Sequence, residues 1–410
     1  MPQSSRRSWI GIAPTAADAT LSATYASGTT SIVLNNIRTW TTAPATSQYI
    51  VIVDGNNTEE LGPITYTAGT VTGVTTANAH NANCYVYFQA ASAPSPAYVP
   101  VEKIATEDDI NMLKDNAFRG SQGMTAGVQE GMRIAKLSFD GSVFPDTFGY
   151  WLQSLNGYFS GAATSGSTPA TYTFSVANTT PTNTPGQPAP FLIYDYNPAS
   201  STTRVFPRAI VSDLTVKVDP GAFVNYTVNV TSQASGIVTS PSTIPPSFST
   251  VIPLVSRLAT VSIGGSPSYK METGEFAWKR EQFGEVNTLA GIQDPLAIFA
   301  GALSSTIKLS AVAADDTELN YYLNGTQNGI TVTCNGTGTL QNSTSFAAQY
   351  TKVNYDKAVV DKNAKAWVTV ALDASAIINS TDGTPAGGLA PTKFTLTTGT
   401  AGTSTQYGAT

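Results

Sequence analysis

Short runs in which apolar and polar residues alternate recur along the chain and predict a mainly β protein. The clearest example is the segment 210–230, where the alternation runs up to Asp219, Pro220 and Gly221 and resumes after them. A period of two places one side of a strand in the core and the other in water, and the three central residues suit a turn. The segment therefore predicts a half-buried β hairpin.

Two short segments replace this alternation with helical spacing, and each predicts a helix that covers a sheet. The first has large apolar residues at i, i+3, i+4 and i+7; these are Phe148, Trp151, Leu152 and Leu155. In the second, Asp294 can cap the first free backbone N–H groups and Pro295 suits the first turn. The apolar stripe that follows consists of Leu296, Phe299 and Leu303.

A further helix start is indicated earlier in the chain, in the run IATEDDINMLKD. Thr106 and Asp109 have the spacing of a capping box, and acids favour the amino-terminal end of a helix. The glycine-rich stretch FRGSQGMTAG follows. We therefore expect a capped helix that leads into a long loop over about 116–130.

The two segments with apolar stripes lie in blocks that have the same order of elements, which predicts an internal duplication. In 132–155 and in 260–309 a strand leads to an acid and proline pair and then to an apolar helix. Extending both blocks gives two related copies over roughly 98–235 and 256–378. A proline-rich linker separates them.

The ends of the chain depart from this duplicated pattern. Residues 17–91 form short apolar runs between Gly and Asn turns, which predicts a small all-β module. The flanking runs SWIGIA and YVPVEKI look like two halves of one sheet edge, so we interpret the module as an insertion. From 379 onwards Gly, Thr and Ser predominate, with one possible strand at KFTLTT, and this tail is either mobile or adds an edge strand to a neighbour.

Composition and charge exclude several classes of protein. The chain has 410 residues, enough for two or three packed domains. Its net charge of −6 and the absence of a Lys/Arg cluster argue against a surface that grips phosphates. No run of about 18 apolar residues occurs, so we expect neither a membrane span nor an export signal. Cys84 and Cys334 do not make a disulfide framework, which favours a reduced, cytosolic origin.

Residue patterns for catalysis or metal binding are scarce, and we expect neither an enzyme nor a cofactor. The only histidine, His80, lies in a turn, where a structural role is expected. The acid pairs at 59–60, 108–109 and 315–316 lack metal-site spacing, and the glycine-rich loops lack the context of a nucleotide site. Four aromatic residues are expected in the core rather than on a glycan platform; they are Trp151, Tyr226, Trp278 and Trp367.

The order of motifs resembles that of the tail tube proteins of long-tailed (siphovirus-type) bacteriophages. ATVSIGG, GEFAWKRE, VNTLAGIQDPLAIFAGAL and STIKLS follow one another as in that family, with an IGG turn, a QDP helix start and a following strand. The earlier run YVPVEKIATEDDINMLKD, then FRGS, a strand, PD and an apolar helix is similar to the amino-terminal half of the same family. The resemblance covers most of 1–16 and 98–378.

The resemblance implies two tandem tail-tube-type β-sandwich or barrel domains, each with a short flanking helix, plus the inserted module. The first tube domain is expected to comprise 1–16 and 92–245, the module 17–91, the second tube domain 246–380 and the Gly/Thr-rich tail 381–410. Inner strands are expected to join those of neighbouring subunits in a continuous barrel around a channel.

The resemblance also implies contacts between stacked rings through the loop at 116–130. The candidate residues are Asn116, Phe118, Arg119, Ser121, Met124 and Val128. The main expected partner is the chain itself. A ring of three chains is favoured because each chain carries two copies, although six chains with one copy lining the channel stays open.

The remaining partners follow from the same resemblance. Tape-measure and tail-terminator proteins are expected at the ends of the tube, and double-stranded DNA passes through the lumen without specific binding. The expected location is the virion tail, assembled in the cytoplasm of the bacterial host, with no contact to a membrane.

Two alternative functions stay open at this point. A glycan-binding or adhesin-like β protein would share the Thr, Ser and Asn richness and the aromatic residues. A phage baseplate or capsid-decorating protein would use the same β parts in an assembly that never elongates. Tubes or rings of purified protein would favour the tail tube, and a stable monomer that binds glycan would favour the first alternative.

Overall fold

The computed structural model describes residues 8–40, 42–89, 97–116, 127–162, 170–178, 186–200, 202–238, 251–268, 270–288, 293–336, 344–362, 367–398 and 407. Strands dominate, which confirms the mainly β prediction. The first eight strands are β1 (Trp9–Leu21), β2 (Ser31–Thr39), β3 (Ile50–Val53), β4 (Glu59–Leu61), β5 (Thr65–Thr67), β6 (Thr70–Thr72), β7 (Tyr85–Gln89) and β8 (Ala97–Val99).

The middle of the chain contains eight further strands and the first helix. These are β9 (Lys103–Asp115), β10 (Gly127–Ser142), α1 (Gly149–Asn156), β11 (Gly157–Ala162), β12 (Thr171–Val176), β13 (Phe191–Asn197), β14 (Thr202–Val218), β15 (Asn225–Ser232) and β16 (Gly236–Val238). The rest comprises β17 (Ala259–Ile263), β18 (Ser266–Ser268), β19 (Met271–Arg280), β20 (Gly284–Val286), β21 (Ala297–Phe299), β22 (Leu303–Val312), α2 (Thr317–Leu323), β23 (Ile330–Asn335), β24 (Ser345–Tyr350), β25 (Val353–Asp361), β26 (Thr369–Ala376) and β27 (Lys393–Thr397).

Eight strands form one continuous antiparallel sheet, which we call the long sheet. Its order is β9-β10-β15-β14-β19-β22-β26-β25. Side chains alternate along each strand: in β10, Ala135, Leu137 and Phe139 are buried, whereas Lys136 is exposed and Ser138 is partly exposed on the opposite face. One face of the long sheet therefore lies on the core and the other is polar.

A second antiparallel sheet, ordered β11-β12-β27-β24-β23-β17-β18, shares the core with the apolar face of the long sheet. Trp278 of β19 meets Phe394 of β27 edge-on at 4.9 Å between ring centroids, and it stacks on Tyr350 of β24 at 6.4 Å. β27 lies between β12 and β24 because Phe394 and Leu396 alternate with polar neighbours and are fully buried. The possible strand in the Gly/Thr-rich tail thus belongs to the interior of this sheet.

The long sheet consists of two four-strand units with the same topology. The first unit is ordered β9-β10-β15-β14 and the second β19-β22-β26-β25, so each repeats the order first, second, fourth and third strand. Each unit also has a one-residue bulge at the matched place, between Val211 and Asp213 in β14 and between Tyr355 and Lys357 in β25. These shared features support an internal duplication.

The helix α1 coincides with the first predicted apolar stripe. Phe148, Trp151, Leu152 and Leu155 are all buried in the core. Gly157 ends the helix in the left-handed region with a φ of 88°, a conformation that glycine adopts without strain. The hydroxyl of Ser154 accepts a hydrogen bond from the amide of Val211 at 2.9 Å, which attaches the helix to β14.

The second predicted helix, from Asp294 to Leu303, is wrong. Pro295 and Leu296 are non-helical, Phe299 ends the short strand β21, and Leu303 begins β22. Leu296 and Phe299 are 44% and 40% exposed, so the apolar stripe has no sheet to cover. The true counterpart of α1 is α2, which follows β22 as α1 follows β10.

The helix expected at Thr106 is also wrong, because this segment forms the long strand β9. Residues 103–115 pair with β10 in a hairpin, in which Thr106 is opposite Leu137 and Asp109 is opposite Ile134. In this conformation alternate side chains face the rest of the domain. The backbone groups of β9 form hydrogen bonds with β10, so no capping box is needed. Tertiary pairing therefore overrides the local helix signal.

Residues of the predicted module have a core of their own, formed by the second half of β1 with β2 to β7. The first half of β1 pairs with β8, with Ile10 opposite Val99, so the two flanks of the module are neighbouring strands. A further apolar cluster joins the module to the first unit and includes Tyr87, Tyr194 and Val205. The module is thus packed on the first unit through buried side chains.

Candidate assembly surface

The two ends of the long sheet are open edges. In the described part of the chain β9 pairs only with β10, and β25 pairs only with β26. Each edge therefore presents a row of backbone groups that a neighbouring strand can bind. Natural proteins rarely leave long edges of this kind uncovered unless another chain covers them.

The polar face of the long sheet carries lysines and acids in nearly equal number, several of them ion-paired. Its charged residues are Lys103, Glu107, Asp109, Lys136, Asp140, Asp213, Lys217, Glu275, Lys279, Lys308, Lys357, Asp361 and Asp373. Lys136 binds Asp109 at 2.9 Å, and Lys103 lies 3.6 Å from Asp140. This face is therefore hydrophilic but close to neutral.

Glu275 is the most connected acid on this face. Lys217 of β14 and Lys308 of β22 bind its carboxylate at 3.1 and 3.2 Å, one from each side of β19. Burial raises the pKa of Glu275, but the hydrogen bonds from both lysines outweigh it, and the pKa lies below its usual 4.5. The two four-strand units are thus joined by charge as well as by backbone pairing.

The hairpin of β9 and β10 extends beyond the core as a two-stranded ribbon, residues 110–115 and 127–130. Its apolar residues are exposed; they are Ile110, Met112, Leu113 and Val128. Asn116 and Val128 of the predicted inter-ring contacts lie at this ribbon and face solvent. The other four, Phe118, Arg119, Ser121 and Met124, lie outside the described residues.

The segment around the short hairpin of β20 and β21 is held beside the base of this ribbon. Arg133 of β10 donates to both carboxylate oxygens of Asp294, at 2.8 and 2.9 Å. The hydrogen bonds that Arg133 donates to the Asp294 carboxylate raise the pKa of Arg133. Gln233 donates to the carbonyl of Pro295 at 2.7 Å, and Arg208 donates to the carbonyl of Leu296. Asp294 therefore anchors a loop and does not cap a helix.

A family model described as phage tail tube protein matches residues 64–406 of the chain. The match contains both four-strand units, the ribbon and β27. This chain belongs to the phage tail tube protein family. No curated protein matches it.

His80 and the acids for which we expect no catalytic role are paired with other side chains of this tail tube protein. His80 is buried, with its Nε2 atom 2.5 Å from Glu59. Asp108 binds Arg204 and Ser235, and Asp315 binds Lys270 at 2.8 Å. Both cysteines are free, and burial raises the pKa of Cys84 and Cys334 to about 12.

The described residues contain no cluster of three or more His, Cys, Asp or Glu side chains arranged to hold a metal ion. Within those same ranges, no helix has the length and apolar character needed to cross a membrane.

The aromatic residues of this tail tube protein divide differently from the sequence expectation. Trp151, Tyr226 and Trp278 are buried in the core as expected. Trp367 is 49% exposed instead, and its indole N–H donates to Glu272 at 2.7 Å. Trp367 precedes β26 at the end of the long sheet where β9 begins, and the ribbon lies at the opposite end.

Proposed function

We propose that this tail tube protein polymerises into stacked rings whose inner wall is the long sheet, and that double-stranded DNA passes through the resulting channel into the host. The observation that carries the proposal is the continuous eight-strand sheet with two open edges and one polar face. Copies joined edge to edge would pair every strand and close a barrel, which removes the aggregation hazard of open edges.

Three chains per ring is the stoichiometry that this sheet supports best. Strands are spaced about 4.8 Å apart and barrel strands tilt by about 40°, so three chains with eight strands each give a backbone circle roughly 50 Å across. Six chains would give roughly 100 Å, far wider than a DNA duplex requires. Both units belong to one sheet, which argues against a ring in which only one unit lines the channel.

The polar face suits the wall of a DNA channel because it offers the phosphates little net attraction. Most of the lysines on this face are ion-paired to acids, as Lys136 is to Asp109 and Lys308 is to Glu275. Non-specific affinity for DNA depends on free Lys and Arg that displace counterions. A wall of this kind lets the duplex slide.

The exposed ribbon suits the contact between rings. Met112, Leu113 and Val128 are exposed apolar side chains of the ribbon that a neighbouring ring would cover. The module at 17–91 contributes no strand to the long sheet among its described residues, which favours a position on the outer surface of the tube. Tape-measure and tail-terminator proteins are the expected partners at the ends, and assembly is expected in the host cytoplasm.

Negative-stain electron microscopy of the purified chain tests the proposal. Rings and tubes of uniform width are expected. Finite assemblies that never elongate would favour a baseplate or decoration protein, and a persistent monomer that binds glycan would favour an adhesin. No catalytic role is proposed.

A second variant set separates ring formation from stacking. Replacing Met112, Leu113 and Val128 together by Asp should leave rings but prevent tubes, because three charges cannot be buried between rings. Ile37→Asp, on the exposed side of β2 in the module, is the matched control and should leave tubes unchanged. Normal tubes from the triple variant would contradict the role of the ribbon.

A further inference from the structure

The long sheet contains one junction between its two units, and that junction can serve as a template for the contact between chains. β14 pairs with β19 over six residue pairs, from Asp213 opposite Lys279 to Val218 opposite Gly274. The open edges β25 and β9 are the topological counterparts of β14 and β19. A second copy that places its β9 beside β25 repeats the same junction.

Apolar side chains are more exposed on the open edge strand β25 than on β14 at the internal junction. Leu214 and Val216 of β14 are buried beneath the junction with β19. Their counterparts, counted from the bulge that both strands share, are Ala358 and Val360 of β25. Ala358 is half-buried and Val360 is 36% exposed. Apolar side chains that are covered at the internal junction are thus uncovered at the edge.

The pairing partners also fix which residue of β9 matches which residue of β19. In the first unit, Thr106 of β9 is opposite Leu137 of β10, which is opposite Val230 of β15. In the second unit, Phe276 of β19 is opposite Ile307 of β22, which is opposite Ala374 of β26. Both Val230 and Ala374 lie opposite the residue that precedes the bulge. Thr106 therefore corresponds to Phe276, and Asp109 corresponds to Lys279.

We propose that chains join in the register of the internal junction. This inference rests on the proposed ring assembly and names its contact. It places Lys357 of one chain opposite Asp109 of a second copy, Val359 opposite Glu107 and Asp361 opposite Ala105.

Charge is complementary in this register. At the internal junction Asp213 is opposite Lys279, and at the contact between chains the signs are exchanged, with Lys357 opposite Asp109. Lys357 forms no ion pair with the described residues. A slip by two residues would bring Lys357 opposite Glu107, so charge alone does not select the register. The shared bulge and the uncovered Val360 select it.

Paired cysteines test the register directly. Directly opposite residues bring their Cβ atoms to about 5 Å, whereas neighbours two residues away lie about 7 Å apart, too far for a disulfide. Val359→Cys is therefore combined in turn with Glu107→Cys, Ala105→Cys and Asp109→Cys. All four positions are exposed, so the fold of each monomer should persist, and circular dichroism checks it.

Mild oxidation should convert the Val359→Cys, Glu107→Cys variant to covalent multimers that end at the closed ring on a denaturing gel. The other two pairs should react at least fivefold more slowly, and each single variant controls for Cys84 and Cys334. Faster reaction of either other pair, or rings that form without any cross-link, would overturn the register while leaving the ring proposal intact. Failure of the unmodified chain to form rings would overturn both.

A charge exchange provides an independent readout. Lys357→Asp should raise the protein concentration needed for ring formation by roughly tenfold, because two acids then face each other across the contact. Adding Asp109→Lys to that variant should restore part of the loss; the restoration is partial because the same change removes the acid that binds Lys136. Absence of restoration in a folded double variant would contradict the pairing of these two residues.

Discussion

Arg280 illustrates how single buried side chains connect the two units. From the end of β19 it donates to the carbonyls of Leu155 at 2.7 Å and Asn156 at 3.3 Å, the last residues of α1, and to Gly301 at 2.9 Å. Carbonyls at a helix end have no intrahelical donor, so a residue of the second unit caps the helix of the first. Burial lowers the pKa of Arg280 to about 10, which still leaves it charged at neutral pH.

We expect Arg280→Met to lower the free energy of unfolding by about 3 kcal/mol, because three buried carbonyls lose their donor. Urea denaturation followed by circular dichroism measures the change. Lys279→Met is the matched control on the exposed face, with an expected change below about 0.5 kcal/mol. Equal stability of Arg280→Met and the unmodified chain would contradict the capping role.

Glu275 gives a prediction about pH. Because its pKa lies below 4.5 in the folded protein, its ionised form stabilises the fold above that value. The stabilisation is lost as the pH falls through the folded pKa. Glu275→Gln should therefore be less stable by about 0.5 kcal/mol at pH 7, with the difference shrinking below pH 4.5. Thermal unfolding at several pH values, with the exposed Glu285→Gln as control, checks this; a pH-independent difference would refute it.

Sequence patterns identify some of these residues and not others. Phe148 and Trp151 could be predicted as core because their helical spacing is a local property. The partners of Arg133, Arg208 and Arg280 lie far along the chain, and nothing local distinguishes a buried arginine from an exposed one. Asp294 has the sequence context of a helix cap, but its carboxylate accepts two hydrogen bonds from the distant Arg133 instead.

At the scale of elements, the prediction of a helix after Asp294 is wrong because it equates two strands that hold different places in their units. The strand GEFAWKRE is β19, the first strand of its unit, whereas MRIAKLSFDG belongs to β10, the second strand of its unit. A periodic pattern reveals that a segment is a strand but does not reveal its place in the sheet. The helix that follows the second strand is α2, and its start at the acids 315–316 carries a recognisable helix signal.

A pair of matched substitutions tests the corrected position of the helix. Phe299→Asp should change the free energy of unfolding by less than about 1 kcal/mol, because the side chain is on the exposed hairpin of β20 and β21. Phe148→Asp should unfold the protein, because it buries a charge next to Phe346, 5.2 Å away between ring centroids. Circular dichroism and thermal unfolding measure both. Unfolding by Phe299→Asp would restore the helical interpretation.

Near the carboxyl terminus, Tyr407 belongs to the core. Beyond β27, Tyr407 is buried against Tyr150, Phe159, Tyr172 and Phe174, with ring centroids 5.0 to 5.8 Å away. A Cβ atom on Gly149 would lie only 2.3 Å from the Tyr407 ring, so glycine is required at that contact. Low-complexity composition therefore does not predict the role of this residue.

Tyr407→Ala should lower the free energy of unfolding by about 3 kcal/mol, because it leaves a large cavity among four aromatic rings. Chemical denaturation measures the loss. Tyr322→Ala removes the same group from an exposed position on α2 and should change stability by less than about 0.5 kcal/mol. Similar values for both variants would show that Tyr407 is not part of the core.

At the scale of the whole molecule, the fold class could be predicted, because the alternation of apolar and polar residues is visible in a single sequence. The common topology of the two units supports a duplication, but the motif order that suggested it equates β10 with β19, which hold different places in their units. The continuity of the long sheet could not be predicted, since the pairing of β14 with β19 joins residues 56 to 66 positions apart and leaves no periodic pattern. The connection between module and first unit was also missed. It depends on Arg208, which is buried and binds Asp18 at 3.1 Å across the boundary.

Removal of the module tests that connection. Replacing 17–91 by a short glycine linker should sharply destabilise the first unit, because Arg208 is left buried without its acid and the apolar cluster around Tyr194 is uncovered. Adding Arg208→Met should recover part of the lost thermal stability. A deletion variant with an unchanged melting temperature would show that the module is an independent attachment.

The fusion of two units in one polypeptide has a consequence for how rings stack. The first unit carries the projecting ribbon, whereas the corresponding connection of the second unit folds back as the hairpin of β20 and β21. In a ring of three chains, projecting ribbons and short hairpins would therefore alternate around the rim. An incoming ring of the proposed tube would then have three equivalent rotational settings rather than six, and the helical twist of the tube would depend on which ribbon meets which hairpin.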